Sequence, residues 1–143
     1  MNQHFWVLTL SITGLLILPG CVDRAAADRE LARGCQAGAQ AMLPEGHTIK
    51  SVTASEFETS KTLGDSFREA RLTVQDFDGW HEEEKNISCI FVEDFAFAGL
   101  GYTVDLYQLN MGDQVYGKEG DEILGSMEDH LKLMNAVAEA MKK

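Results

Sequence analysis

Positively charged residues are scarce in this chain. Its 143 residues include 12 Lys and Arg against 23 Asp and Glu, so the formal net charge is −11, and all of these charges follow Cys21. Such an acidic domain repels phosphate backbones, which disfavours nucleic acid as a partner, and an anionic lipid surface repels it as well. Attachment to a membrane would therefore need a covalent anchor. The charge favours a basic protein or cations as partners, and the alternative is that the acidity only maintains solubility.

Long apolar runs are missing too. The run Phe5–Leu18 has 14 residues without a charge, whereas a membrane-spanning helix needs about 20. Its length is typical of the apolar region of a secretory signal peptide. The next feature is Leu18-Pro19-Gly20-Cys21, which resembles the lipobox of bacterial lipoproteins at three of its four positions, Pro19 being the departure.

This resemblance implies how the chain is processed. In bacterial lipoproteins the signal is cut before the cysteine, and acyl chains such as palmitate are added there, so Cys21 would carry a lipid anchor on the periplasmic side of a membrane. Because Val22 and not an aspartate follows Cys21, the family's sorting pattern implies the outer membrane. The predicted organisation is a signal peptide at 1–20, an anchor and short linker at 21–27, and a single domain at 28–143.

Two other fates of the N-terminus stay open. Ordinary signal cleavage after Ala27 is possible because Ala25-Ala26-Ala27 supplies the small residues that a signal peptidase requires, and it would give a soluble periplasmic or secreted protein. An uncut, buried helix is the third interpretation. Neither a repeat nor a linker to a second domain is recognisable in the remainder of the chain.

The chain lacks a Cys-x-x-Cys pair, which argues against a redox-active dithiol. It has three cysteines, and either route of signal processing accounts for Cys21. Cys35 and Cys89 then remain in an oxidising compartment, where we expect them to form a disulfide. In a cytosolic chain the same two thiols would be free.

Residue periodicity predicts an α+β fold. Apolar residues at helical spacing predict an N-terminal helix over Ala25–Leu43 and a C-terminal amphipathic helix from Asp121 onward. The segments between them favour a three- or four-stranded antiparallel sheet, and one disulfide joins sheet and helix. The predicted strands are Thr48–Thr59, Arg68–Gln75, Ile87–Val92 and Tyr102–Met111.

Burial decides how the second and third strands pair. A two-residue turn at Asp78-Gly79 would set Leu72 opposite Lys85, whereas a longer loop sets Leu72 opposite Cys89. The longer loop keeps one face of the sheet apolar, so we expect that register. It places Cys89 on the inward face, under the helix that carries Cys35, and leaves 76–84 as an exposed loop.

The segment 76–84 (DFDGWHEEE) has five carboxylates, two aromatic residues and one histidine. Carboxylates can bind Ca²⁺, but their spacing here does not match an EF-hand, and a zinc site would need more ligands. A solvated hairpin tip and a partner-binding loop anchored by Trp80 are the other interpretations. The candidate site residues are Asp76, Asp78, Trp80, His81, Glu82, Glu83 and Glu84.

Recognisable catalytic groups are absent from the sequence. No serine lies in a nucleophile-elbow motif, and the adjacent Glu93 and Asp94 would point to opposite faces of a strand. We therefore expect no enzyme and no cofactor. The sequence favours a small acidic envelope lipoprotein that acts as a non-catalytic binding or accessory module for a basic envelope protein. The alternatives are a metal-dependent enzyme or calcium-binding protein that uses loop 76–84, and a soluble secreted protein.

Overall fold

Six antiparallel strands form one meander between two helices in the computed structural model, which describes residues 22–96 and 101–142. The α+β class is confirmed, but three or four strands undercount the sheet. The two additional strands fall in the region after Met111, which we expected to contain turns. The elements are α1 (Arg24–Met42), β1 (Thr48–Thr59), β2 (Phe67–Phe77), β3 (Glu82–Phe95), β4 (Tyr102–Met111), β5 (Gln114–Glu119), β6 (Glu122–Leu124) and α2 (Met127–Met141).

The predicted signal peptide at 1–20 and the lipidation site Cys21 lie outside the described residues. None of the helices that the structure describes is both long enough and apolar enough to cross a membrane.

Helix α1 begins earlier than the predicted domain boundary at residue 28. The carboxylate of Asp23 caps it by accepting hydrogen bonds from the backbone N–H groups of Ala25 and Ala26, at 3.1 and 3.3 Å. The helix thus begins one residue before its predicted start at Ala25, and it includes residues 24–27 of the predicted linker. Helix α2 begins later than expected, because Leu124 belongs to β6 and Ser126 is the N-cap.

The predicted disulfide is present and joins α1 to β3. Cys35 and Cys89 have their Cα atoms 5.6 Å apart, and both residues are fully buried. Both helices lie on the face of the sheet to which Cys89 points. The largest fully buried side chains around the disulfide are those of Leu31, Leu72, Phe91, Leu109 and Leu133.

Two glycines allow α2 to pack closely on α1. A Cβ atom at Gly38 would lie 2.9 Å from Leu133 Cδ1, and one at Gly34 would lie 2.6 Å from Met141 Sδ. A larger residue at either position would require the facing side chains of α2 to shift, so the two glycines permit the close packing of the helical layer. The same contacts show that the helices run antiparallel, with Met141 towards the N-terminal half of α1.

The predicted register of β2 and β3 is wrong by two residues. Leu72 pairs with Ile87 and Ala70 with Cys89, so the connecting turn has four residues, 78–81, and 76–84 is not an exposed loop. A slip of two residues leaves each side chain on its original face, which is why Cys89 still points inward. The shorter turn brings Asp76 into the sheet, where it pairs with Glu83.

Candidate functional site

The turn between β2 and β3 is organised by Asp78. Its carboxylate Oδ1 accepts hydrogen bonds from the backbone N–H groups of Trp80 (2.8 Å) and His81 (2.7 Å), and its own N–H donates to the carbonyl of His81 at 3.1 Å. The two backbone hydrogen bonds, from His81 and Trp80, lower the pKa of Asp78. Gly79 has φ +100°, a conformation that glycine adopts without strain. These contacts fix the conformation of the turn at residues 78–81, which forms the tip of the hairpin.

Trp80 projects from this tip into solvent. It is 87% exposed, more than any other large hydrophobic residue that the structure describes, and the adjacent His81 is almost as exposed. The indole is among the largest apolar side chains in proteins, and it also carries an N–H donor. The prediction that Trp80 lies on an exposed connection is therefore confirmed.

The carboxylates around the tip do not converge. Asp76 and its partner Glu83 face one side of the sheet, whereas Glu82 and Glu84 are on strand positions of the other side, and Asp78 is engaged in the turn. Within residues 22–96 and 101–142, no group of three or more His, Cys, Asp or Glu side chains could hold a metal ion. The seven candidate residues are thus close in sequence but do not form one site.

Asp76 belongs to a different cluster, which the sequence analysis missed. Its side chain is 2% exposed, and Oδ2 accepts hydrogen bonds from Lys85 Nζ at 2.6 Å and from His47 Nδ1 at 2.8 Å. Burial by itself would raise the pKa of Asp76, but the contacts with Lys85 and His47 outweigh burial and lower it. The preceding residue, Gln75, faces the other side of the sheet, where its side-chain amide donates a hydrogen bond to Glu84. Asp76 therefore joins the α1–β1 connection to the β2–β3 hairpin.

A second charged cluster ties the start of α1 to the opposite end of the sheet. Arg24 donates to both carboxylate oxygens of Glu93, at 2.6 and 3.1 Å, and the Tyr102 hydroxyl donates to Glu93 at 2.6 Å. Burial and then the hydrogen bond to Glu93 raise the pKa of Tyr102 to about 12. Glu93 points inward and Asp94 outward, as predicted for adjacent residues of a strand.

Asp28 continues this cluster along α1. Arg68 donates two hydrogen bonds of 2.7 Å to its carboxylate, and Arg24 Nε donates a third at 3.1 Å. Burial by itself would raise the pKa of Asp28, but Arg68 and Arg24 together lower it below the ordinary value. Two arginines thus hold the first two turns of α1 against β2 and β3.

The side of the sheet that faces away from the helices carries a shallow depression of about 450 Å³. Among its lining residues, Thr73 donates a hydrogen bond to Asn86 at 3.0 Å, and Arg71 donates to the neighbouring Glu58 and Glu69. The side chains of Thr73, Asn86 and Arg71 are therefore already hydrogen-bonded within the domain.

Comparison of the chain with protein-family models, with curated proteins and with solved structures found no match in any of the three.

Proposed function

We propose that this chain is a bacterial envelope lipoprotein, anchored through Cys21, whose domain is a non-catalytic binding module. The observation that carries the binding role is the exposure of Trp80, 87% accessible on a turn that Asp78 holds in place. A rigid tip that presents one large aromatic side chain has little conformational entropy to lose when a partner covers it.

The first turn of α1 supports cleavage before Cys21 over cleavage after Ala27. Cleavage after Ala27 would remove the cap Asp23 and the ion-pair partner Arg24, and Glu93 would stay buried without a cation. Removing one partner of a buried ion pair costs about 3–5 kcal/mol, which solvent reduces to about 2–3 kcal/mol here because the Arg24 side chain is 38% exposed. Losing an N-cap costs about 1 kcal/mol more. A mature chain that keeps residues 22–27 avoids both losses, and the lipoprotein route keeps them.

Charge indicates the chemistry of the partner. Glu82, Glu83 and Glu84 directly follow the tip and are exposed, and the whole chain has a net charge of −11. A basic protein surface with an apolar pocket for the indole complements this tip, because opposite charges accelerate encounter and a buried Trp supplies affinity. The partner class is therefore a basic protein of the cell envelope.

Intact mass tests the anchor. In protein purified from its native host, we expect a chain that begins at Cys21 with added acyl mass, and two thiols that appear only after reduction. A chain that begins at Asp28 would contradict the lipoprotein proposal and would move the search to soluble ligands.

Site-specific cross-linking tests the binding role. A photoreactive amino acid at position 80 should cross-link a basic protein in envelope membranes, whereas the same group at Leu131, which is 56% exposed on α2, should not. With the purified partner, Trp80→Ala should weaken binding by about 30-fold, the effect of one interface hot spot, while Leu131→Ala should leave it unchanged. Equal cross-linking from both positions, or unchanged affinity of Trp80→Ala, would contradict the proposal.

A further inference from the structure

A second exposed aromatic residue lies at the end of the sheet opposite Trp80. Phe95 is the last residue of β3 and is 50% exposed, and its ring centroid is 5.3 Å from that of Tyr102, the first residue of β4. At about 3.3 Å per residue, the 14 residues of β3 separate Phe95 from the β2–β3 turn by roughly 40 Å. The two exposed aromatic residues therefore face opposite ends of the domain.

The start of α1 lies at the Phe95 end. Arg24 contacts Glu93, two residues before Phe95, and Glu93 in turn accepts the hydrogen bond from Tyr102. A depression of about 310 Å³ is shared by Val22, Asp23 and Tyr102. The chain therefore enters the domain next to the Phe95–Tyr102 pair.

Few residues separate Cys21 from the described domain along the chain. Val22 is the single residue between Cys21 and the capping residue Asp23, and one extended residue spans about 3.5 Å. Arg24 and Asp28 fix the helix that follows, so its first turn does not act as a flexible tether. Acyl chains on Cys21 would thus bring the bilayer surface directly to the Phe95 end.

We infer that the Phe95 end of the domain rests on the lipid bilayer, with the Phe95 ring in the interfacial region. This inference depends on the proposed anchor at Cys21 and specifies which surface of the domain the membrane covers. Aromatic rings favour the membrane interface, where apolar and hydrated groups meet. Asp23 and Asp94 are exposed at this end, so the surface fits a zwitterionic lipid better than an anionic one. Trp80 then points away from the bilayer.

Tryptophan fluorescence quenching by brominated acyl chains tests this orientation. The chain has two tryptophans, and Trp80 is the one that follows Cys21, so the mature lipoprotein already carries a single reporter at the tip. In Trp80→Phe/Phe95→Trp the reporter moves to the membrane end. In the matched control Trp80→Phe/Leu131→Trp it moves to an exposed position of α2, near the C-terminal half of α1.

The full lipidated chain is reconstituted into phosphatidylethanolamine–phosphatidylcholine vesicles with brominated acyl chains. We expect roughly twofold or stronger quenching of the reporter at position 95, and negligible quenching at positions 80 and 131. Ala96→Trp, in the Trp80→Phe background, is a second reporter at the same end and should also be quenched. Circular dichroism confirms that each variant is folded.

Two failures can be distinguished. If the purified chain carries no acyl mass and none of the variants binds vesicles, the proposed anchor is wrong and the inference fails with it. If the lipidated variants bind but positions 95 and 96 are quenched no more than positions 80 and 131, the anchor stands and the proposed orientation is wrong.

Discussion

Arg24→Met tests how the first turn of α1 is held. Arg24 donates to both carboxylate oxygens of Glu93, and only 6% of the Glu93 side chain is exposed. Removing one partner of a buried ion pair costs about 3–5 kcal/mol, because the other charge stays buried without compensation. The Arg24 side chain is itself 38% exposed, and Tyr102 continues to donate to Glu93, so solvent and this hydroxyl reduce the loss. We expect the variant to lose about 2–3 kcal/mol of unfolding free energy.

Urea denaturation followed by far-UV circular dichroism measures this loss. For a domain of this size it corresponds to a fall in Tm of about 10 °C. Arg29→Met is the matched control, because Arg29 is an exposed residue of the same helix, and it should change stability by no more than about 0.5 kcal/mol. Adding Glu93→Gln to Arg24→Met should recover part of the loss, because a neutral amide is less costly to bury than a charge.

Two results would refute this reasoning. One is a loss for Arg24→Met no larger than that of Arg29→Met, which would mean that solvent screens the ion pair completely. The other is a Glu93→Gln second substitution that recovers nothing, which would show that the loss has another origin. Either result would also remove the energetic argument for a mature chain that keeps residues 22–27.

Three further changes test other contacts. Replacing Cys35 and Cys89 by alanine should lower the free energy of unfolding by about 4 kcal/mol, the chain-entropy estimate for a separation of 54 residues; a urea titration that shows no loss would contradict it. Because the pKa of Asp76 is lowered in the folded state, its stabilisation is complete above the ordinary value of 3.8 and is lost as the pH falls through the lower folded value. The difference in unfolding free energy between wild type and Asp76→Asn should therefore be constant at neutral pH and shrink as the pH falls below 3.8. A difference that does not change with pH would contradict this. Gly38→Ala should lose about 1 kcal/mol in thermal melting despite the better helix propensity of alanine, because its Cβ would lie 2.9 Å from Leu133 Cδ1; a raised Tm would mean that α2 can shift.

Much of the fold could be predicted from side-chain alternation. The stripe that contains Leu31, Cys35 and Ala39 and the alternation of β2 and β3 identify the buried faces, and they place both cysteines of the disulfide inward. The register could not be predicted, because a shift of two residues leaves the hydrophobic pattern unchanged. The observed register goes with the four-residue turn that Asp78 closes through its hydrogen bonds to Trp80 and His81, and a criterion of apolar matching does not include the geometry of the turn. Strand β6, with three residues, is too short to produce a pattern.

The sequence predicted the exposed tip of the candidate site but not the ion pairs between distant residues. Trp80 was identified because it lies in the acidic segment 76–84 between two apolar strands, where a tryptophan can anchor a partner. The pairing of Arg24 with Glu93 spans 69 residues, and nothing in the neighbourhood of either residue marks the other as its partner. His47 was likewise missed, because its carboxylate partner Asp76 is 29 residues away. Local patterns indicate turns and buried faces, whereas contacts between distant polar residues depend on the finished topology.

The Cys35–Cys89 bond has a mechanical consequence. A pull between the start of α1 and the β2–β3 turn would pass along α1 to Cys35, across the two sulfur atoms to Cys89, and down β3 to Trp80. This covalent path bypasses residues 36–79, so β1 and β2 would carry no tension through their backbone. Force along β3 would load its hydrogen bonds to β2 and β4 in shear, all together, because those bonds are perpendicular to the strand. Reduction of the disulfide would transfer the load to β1 and β2.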